Sequence, residues 1–114
     1  MLLWPIRGMA ETREEAVALA REGHTEEAIT ALRKMLAESP EDTLVAYDLS
    51  VILTWVNRAR EATDAFERAG PTEPPEYVLG PMIRAYRDQK RFKEAEGWAR
   101  EAERRYPMDA TWAK

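Results

Sequence analysis

The sequence has 114 residues, of which 45% are hydrophobic and 33% are charged, and its formal net charge at pH 7 is −4. This length suits one domain, and the abundance of Ala, Glu, Arg and Leu predicts an all-α fold. The lack of cysteine excludes disulfides and thiolate metal sites, and the negative charge argues against nucleic acid as a partner, because phosphate binding needs a dense face of Lys and Arg.

The first eight residues form an apolar leader. The run from Met1 to Ile6 is too short for a membrane span, lacks a basic start and contains Pro5, so it does not fit a signal peptide. We expect residues 1–8 to be either an expression remnant or the clipped end of a preceding helix.

A repeat of about 34 residues follows the leader. Alanines recur at intervals of 34 and 33 residues, and prolines recur twelve residues after them: Ala28, Ala62 and Ala95, then Pro40, Pro74 and Pro107. The pattern predicts three antiparallel helix pairs, over 11–22 and 25–38, 41–56 and 58–69, and 76–89 and 91–105. The corresponding repeats cover about 9–42, 43–75 and 76–108.

A tight turn joins the two helices of each pair. Gly23, Asn57 and Lys90 occupy equivalent positions five residues before the repeated alanines. A left-handed backbone conformation is favoured there, which suits Gly and Asn but not Lys. We therefore expect the third turn to be weaker than the other two.

Two prolines affect the predicted helix boundaries. Ser39, Pro40 and Asp42 fit an N-cap, a first-turn proline and an N3 carboxylate, which predicts that the third helix starts after Ser39. Pro81, preceded by Gly80, lies inside the fifth predicted helix, where it removes a backbone hydrogen bond. We expect a kink or a late helix start there.

The last residues carry the signs of a further helix, because Asp109 can cap it and Trp112 falls near its start. Helix pairs with this period and this pattern resemble the tetratricopeptide repeat family. The resemblance implies a right-handed superhelical stack of antiparallel helix pairs, an α-solenoid. Residues 109–114 would then be the truncated start of a fourth repeat.

Residues suited to catalysis or metal binding are sparse. His24 is the single histidine, and it lies beside Gly23 in the first predicted turn, where a solvated turn residue is the ordinary interpretation. No nucleophile with a base, metal cluster or phosphate-binding loop has a workable spacing. We predict a non-catalytic binding scaffold without a metal or cofactor.

In the tetratricopeptide family the first helix of each pair lines the concave face. The side chains placed there predict a ligand-binding groove of eight residues: Tyr47, Asp48, Val51, Trp55, Tyr77, Arg84, Arg87 and Asp88. Tyr47, Val51 and Trp55 form one stripe that suits stacking on a sugar ring or anchoring of a peptide side chain. The alternative is that this stripe packs on the next helix. We expect the ring faces of Tyr47 and Trp55 to be accessible.

One ligand class of the family is not expected here. The carboxylate clamp of chaperone adaptors uses Lys, Asn and Arg at positions that hold Arg13, Val17, Asp48, Tyr77 and Pro81 in this sequence. Only Arg13 keeps its charge, and Asp48 would repel a carboxylate.

Three segments are similar to the periplasmic tetratricopeptide region of outer-membrane exporters of poly-β-1,6-N-acetylglucosamine, a biofilm polysaccharide. They are DLSVILTW at 48–55, PEYVL at 75–79 followed by RAYRDQ at 84–89, and RRYP at 104–107. The resemblance implies a location at the periplasmic face of the outer membrane, through a C-terminal β-barrel that is missing here.

The same resemblance implies two partners: the partly deacetylated, hence partly cationic, polymer and its periplasmic deacetylase. Asp48 would pair with a glucosaminium, and Tyr47 or Trp55 would stack on the sugar. The alternative is a generic protein–protein interaction module that binds a peptide in its concave groove.

Overall fold

Six α-helices make up the fold in the computed structural model, which describes residues 10–107. They are α1 (Arg13–Arg21), α2 (Thr25–Glu38), α3 (Thr43–Trp55), α4 (Ala59–Arg68), α5 (Glu76–Asp88) and α6 (Phe92–Arg105). Each lies within two residues of its predicted bounds, and the described range contains no strand, so the all-α prediction is confirmed. The leader at 1–8 and the helix start at Asp109 and Trp112 lie outside the described residues.

The helices pack as three successive pairs. We call α1, α3 and α5 the A helices and α2, α4 and α6 the B helices. Neighbouring A helices contact each other as well as their B helices, whereas the backbones of the described B helices do not approach one another. The closer spacing of the A helices places them on the inner, concave side of an elongated stack that measures 54 × 25 × 25 Å.

The turn between the helices of each pair has the same geometry three times. Its left-handed residues are Gly23, Asn57 and Lys90, with φ of 96°, 61° and 61°. The next N–H donates to the carbonyl five residues back: His24 to Leu19 at 2.9 Å, Arg58 to Leu53 at 3.0 Å and Arg91 to Tyr86 at 2.8 Å. These are Schellman motifs, and the third forms like the others, with a non-glycine residue in the left-handed region at Lys90.

The start of α3 differs from the prediction. Asp42 is the N-cap, since its Oδ1 accepts a hydrogen bond from the N–H of Val45 at 3.2 Å. Ser39 instead ends α2, with its N–H donating to the carbonyl of Met35 at 2.9 Å. Ser39 as N-cap is therefore wrong. The residue before a proline avoids the helical conformation, and the turn closed by the Asp42 N–H on the Ser39 carbonyl at 3.0 Å must end before α3 begins.

Pro81 does not interrupt α5. The helix starts at Glu76 and continues through Pro81 to Asp88, so the expected late start does not occur. Gly80 places no side chain beside the proline. The guanidinium of Arg84 lies over Gly80, with Nη1 3.5 Å from the position that a Cβ at residue 80 would take.

Phe66 of α4 is the centre of the core and is fully buried. Its ring lies 6.1 Å from that of Tyr47 on α3, 6.5 Å from Tyr86 on α5 and 5.1 Å from Trp98 on α6, measured between centroids. Edge-to-face and tilted contacts of this kind add about 0.5–1.5 kcal/mol each beyond area burial. One side chain thus joins the second and third helix pairs.

Candidate functional site

Asp48 of α3 lies between its two neighbouring A helices and is 7% exposed. Its Oδ2 accepts a hydrogen bond from Nη1 of Arg13 on α1 at 2.8 Å, and its Oδ1 accepts one from the hydroxyl of Tyr77 on α5 at 2.8 Å. The hydrogen bond with Asp48 raises the pKa of Arg13. Burial, and then the hydrogen bond to Asp48, raises the pKa of Tyr77, so its phenol remains a donor at neutral pH.

This geometry corrects the predicted role of Asp48. Both carboxylate oxygens already accept a hydrogen bond from the protein, and the burial of Asp48 leaves little access for a ligand amine. The buried carboxylate instead connects one residue from each of the three A helices. No feature of the sequence marks Arg13 as the partner of Asp48.

Tyr47 belongs to the core. It is 6% exposed, its ring packs against Phe66, and burial raises its pKa. The expectation of an accessible Tyr47 ring is therefore wrong. With 3.6 residues per turn, positions four apart are offset by about 40°, so the predicted stripe rotates by about 80° from Tyr47 through half-buried Val51 to Trp55.

Trp55 is 48% exposed, and it lines a pocket of about 440 Å³ with Arg84, Arg87 and Asp88 of α5. Thr54, Asn57, Ala59, Pro81 and Ala85 complete the lining of this Trp55 pocket. Four of the eight predicted groove residues thus come together. The other four, Tyr47, Asp48, Val51 and Tyr77, are not among the lining residues.

The charged side chains of the Trp55 pocket are available to a ligand. Arg84, Arg87 and Asp88 make no side-chain hydrogen bond or ion pair within residues 10–107. The pocket therefore offers an open indole face, two guanidinium groups and one carboxylate. Such a mixture can stack on a ring and hydrogen-bond its substituents.

The predicted groove omits five lining residues of this pocket, and for two of them the sequence pattern indicated another role. Asn57 fits the turn between two helices, and Pro81 is expected to disturb the helix that contains it. The turn after α3 brings Asn57 beside Trp55, and the unbroken α5 places Pro81 one turn before Arg84. A helical-wheel projection in which α5 continues through Pro81 would have identified Pro81 as a pocket residue.

Within residues 10–107, no group of three or more His, Cys, Asp or Glu side chains is arranged to hold a metal ion. None of the six helices is long and apolar enough to cross a membrane.

Comparison with known proteins identifies the repeat. A family model described as tetratricopeptide repeat matches residues 19–80, from the end of α1 into α5. No curated protein and no solved structure matches the chain. Tetratricopeptide repeats are in general non-catalytic modules that bind protein partners. The matched segment spans more than half of the sequence and coincides with the stacked helix pairs, and the chain therefore belongs to the tetratricopeptide repeat family.

Proposed function

We propose that this array is a non-catalytic scaffold in the export of partly deacetylated poly-β-1,6-N-acetylglucosamine, and that the Trp55 pocket holds the polymer. The observation that carries the proposal is the half-exposed indole of Trp55 beside three charged side chains that make no side-chain hydrogen bond or ion pair within residues 10–107. The sequence segments similar to exporters of this polymer support it, and they suggest a location at the periplasmic face of the outer membrane.

Sugar chemistry fits this arrangement. The apolar face of a pyranose stacks on an indole ring, and its polar substituents need nearby donors and acceptors. Arg84 and Arg87 would donate to hydroxyl or N-acetyl oxygens, and Asp88 would accept from the ammonium of a glucosaminium. Asp88 thus takes the role that the sequence had assigned to Asp48.

The test is a titration of the ¹⁵N-labelled chain with β-1,6-linked glucosamine oligomers, one series fully acetylated and one partly deacetylated. Both should shift the indole N–H signal of Trp55, and Trp55→Ala should weaken binding about tenfold or more. Asp88→Asn should weaken binding of the deacetylated series only, because the acetylated sugars carry no ammonium.

Phe92 supplies the matched control. It is another exposed aromatic residue, at 62%, and it lies outside the pocket, so Phe92→Ala should leave sugar binding unchanged. Binding that survives Trp55→Ala, or the absence of binding by both series, would reject the pocket as a sugar site.

A peptide is the second candidate ligand, which could be a segment of the periplasmic deacetylase or of another protein. The pocket contains two guanidinium groups against one carboxylate, and this excess of positive charge favours an acidic segment with an apolar anchor. A short peptide with a Leu between two Asp residues should then bind, with an affinity that falls as salt rises. Fully acetylated sugars carry no charge and should show little salt dependence, which separates their binding from that of the acidic peptide.

A further inference from the structure

We propose that a groove on the outer side of the stack, between α2 and α4, binds a helix of a protein partner that inserts one large aromatic side chain. The groove has a volume of about 620 Å³. Its floor is formed by Ala46, Leu49 and Leu53 of α3, and its apolar walls by Leu36 of α2, Ala65 of α4 and Ala69, the residue after α4. We call it the outer groove.

The neighbouring gap between B helices shows what kind of side chain belongs there. Trp98 of α6 reaches across to α4, and its ring packs edge-to-face on Phe66 at 5.1 Å between centroids, with the planes at 73°. Trp98 lies three residues after Ala95, and Ala65 lies three residues after Ala62. Ala65 is therefore the equivalent of Trp98. An indole fills the gap between α4 and α6, whereas only a methyl group occupies this position between α2 and α4.

The size of the outer groove fits more than one side chain. A volume near 620 Å³ lies in the range of ordinary ligand pockets, and it can hold an aromatic residue together with an aliphatic residue one turn away on the same helix. An amphipathic helix presents such residues at i and i+4.

The charges at the rim balance, which favours a partner of mixed charge. Arg33 and Glu61 pair across the groove at 2.6 Å. Asp64 and Arg68 have no side-chain partner within residues 10–107. A partner helix with one basic and one acidic residue flanking its aromatic side chain would pair with both.

The outer groove is separate from the Trp55 pocket. The two share no lining residue, and the groove lies between B helices whereas the pocket lies beside A helices. A ligand in the pocket and a protein on the outer side could thus be bound together. The groove proposal does not depend on the identity of the pocket ligand.

A peptide with the sequence of residues 91–106, RFKEAEGWAREAERRY, is the probe, because it forms an amphipathic helix with a central Trp inside the chain. It is titrated into the ¹⁵N-labelled full chain at up to about 2 mM, which detects affinities weaker than 1 mM. We expect shifts at Leu36, Leu49 and Ala65, and about tenfold weaker binding when the peptide Trp is replaced by Ala.

Two variants of the chain test the groove itself. Ala65→Trp fills it with the side chain found at residue 98, and Ala37→Glu places a charge on an exposed lining residue without changing the core. Each should weaken peptide binding about tenfold or more, whereas Trp55→Ala should leave it unchanged. The Ala37 variant keeps the test informative if Ala65→Trp does not fold.

Several results would overturn the proposal. They are peptide shifts that map to the Trp55 pocket or to the α4–α6 contact, undiminished binding by the folded groove variants, and no shifts at the highest peptide concentration. Shifts at the groove that depend on protein concentration without peptide would instead assign the surface to a second copy of the chain.

Discussion

Replacement of Lys90 by Gly should stabilise this protein. Lys90 has φ of 61°, a conformation that costs an L residue with a side chain about 1–2 kcal/mol relative to the right-handed region. Its N–H donates to the carbonyl of Arg87 at 2.8 Å, and the following N–H donates to Tyr86, so the chain must adopt this geometry to close the turn. The side chain is exposed and makes no hydrogen bond or ion pair within residues 10–107.

The expected gain follows from two opposing effects. Glycine relieves the left-handed strain, but it has more conformational freedom to lose on folding, which costs about 0.5–1 kcal/mol. The net gain is about 0.5–1 kcal/mol, which corresponds to about 2–5 °C in Tm for a domain of this size.

The other two turns supply matched controls. A Cβ at Gly23 would have no atom within 4 Å, so Gly23→Ala should cost about 1 kcal/mol through backbone strain alone. Asn57→Gly should change stability little, because Asn tolerates the left-handed region. Urea and thermal denaturation followed by circular dichroism measure all three. If Lys90→Gly is neutral or destabilising while Gly23→Ala is destabilising, the strain assigned to Lys90 does not exist.

Three more substitutions, two of them with a control variant, test particular contacts, each by urea denaturation. Asp42→Ala should cost about 1 kcal/mol as the loss of an N-cap, and Ser39→Ala should cost less than half as much; the reverse order would restore Ser39 as the cap. Phe66→Ala should cost about 3–5 kcal/mol, and an effect as small as that of the exposed Phe92→Ala would contradict its central position. The pKa of Glu61 is lowered to about 2 by hydrogen bonds from Arg58 first and then from Arg33. A lowered folded-state pKa adds stability above the unfolded pKa, near 4.5, and that stability disappears as the pH falls to about 2. Glu61→Gln should therefore remove about 1 kcal/mol of stability at pH 7, a value reduced for solvent screening. It should also weaken the fall of the free energy of unfolding between pH 4.5 and 2. An unchanged pH dependence in that range would show that the ion pairs of Glu61 are not formed.

The helix pairs were predictable because small and turn-forming residues repeat with the period of the backbone. The spacing of Ala28, Ala62 and Ala95 fixes where each B helix packs on its A helix, and these alanines are almost fully buried. The boundary at Ser39 was not predictable from its residue type, because Ser39 and Asp42 are both good N-caps. Only the geometry of the turn at Pro40 decides between them.

The candidate site was harder to predict because α3 is buried on most of its surface. It packs against α1, α2, α4 and α5, and every residue from Val45 to Ser50 is buried. Hydrophobic periodicity loses its meaning in such a helix, so the pattern could not show that Tyr47 points inward and Trp55 outward. On α5, which is less enclosed, Arg84, Arg87 and Asp88 do lie together.

The position of Asp48 has a mechanical consequence. In a stack of repeats each unit normally supports only its neighbours, so the ends can loosen independently. The carboxylate of Asp48 accepts hydrogen bonds from α1 and from α5. One side chain of the second repeat therefore links the first repeat to the third. The three A helices on the inner side should then resist bending together. A long ligand that passes along this side would then contact a rigid surface. The chain has no cysteine, so this rigidity does not come from disulfides between repeats.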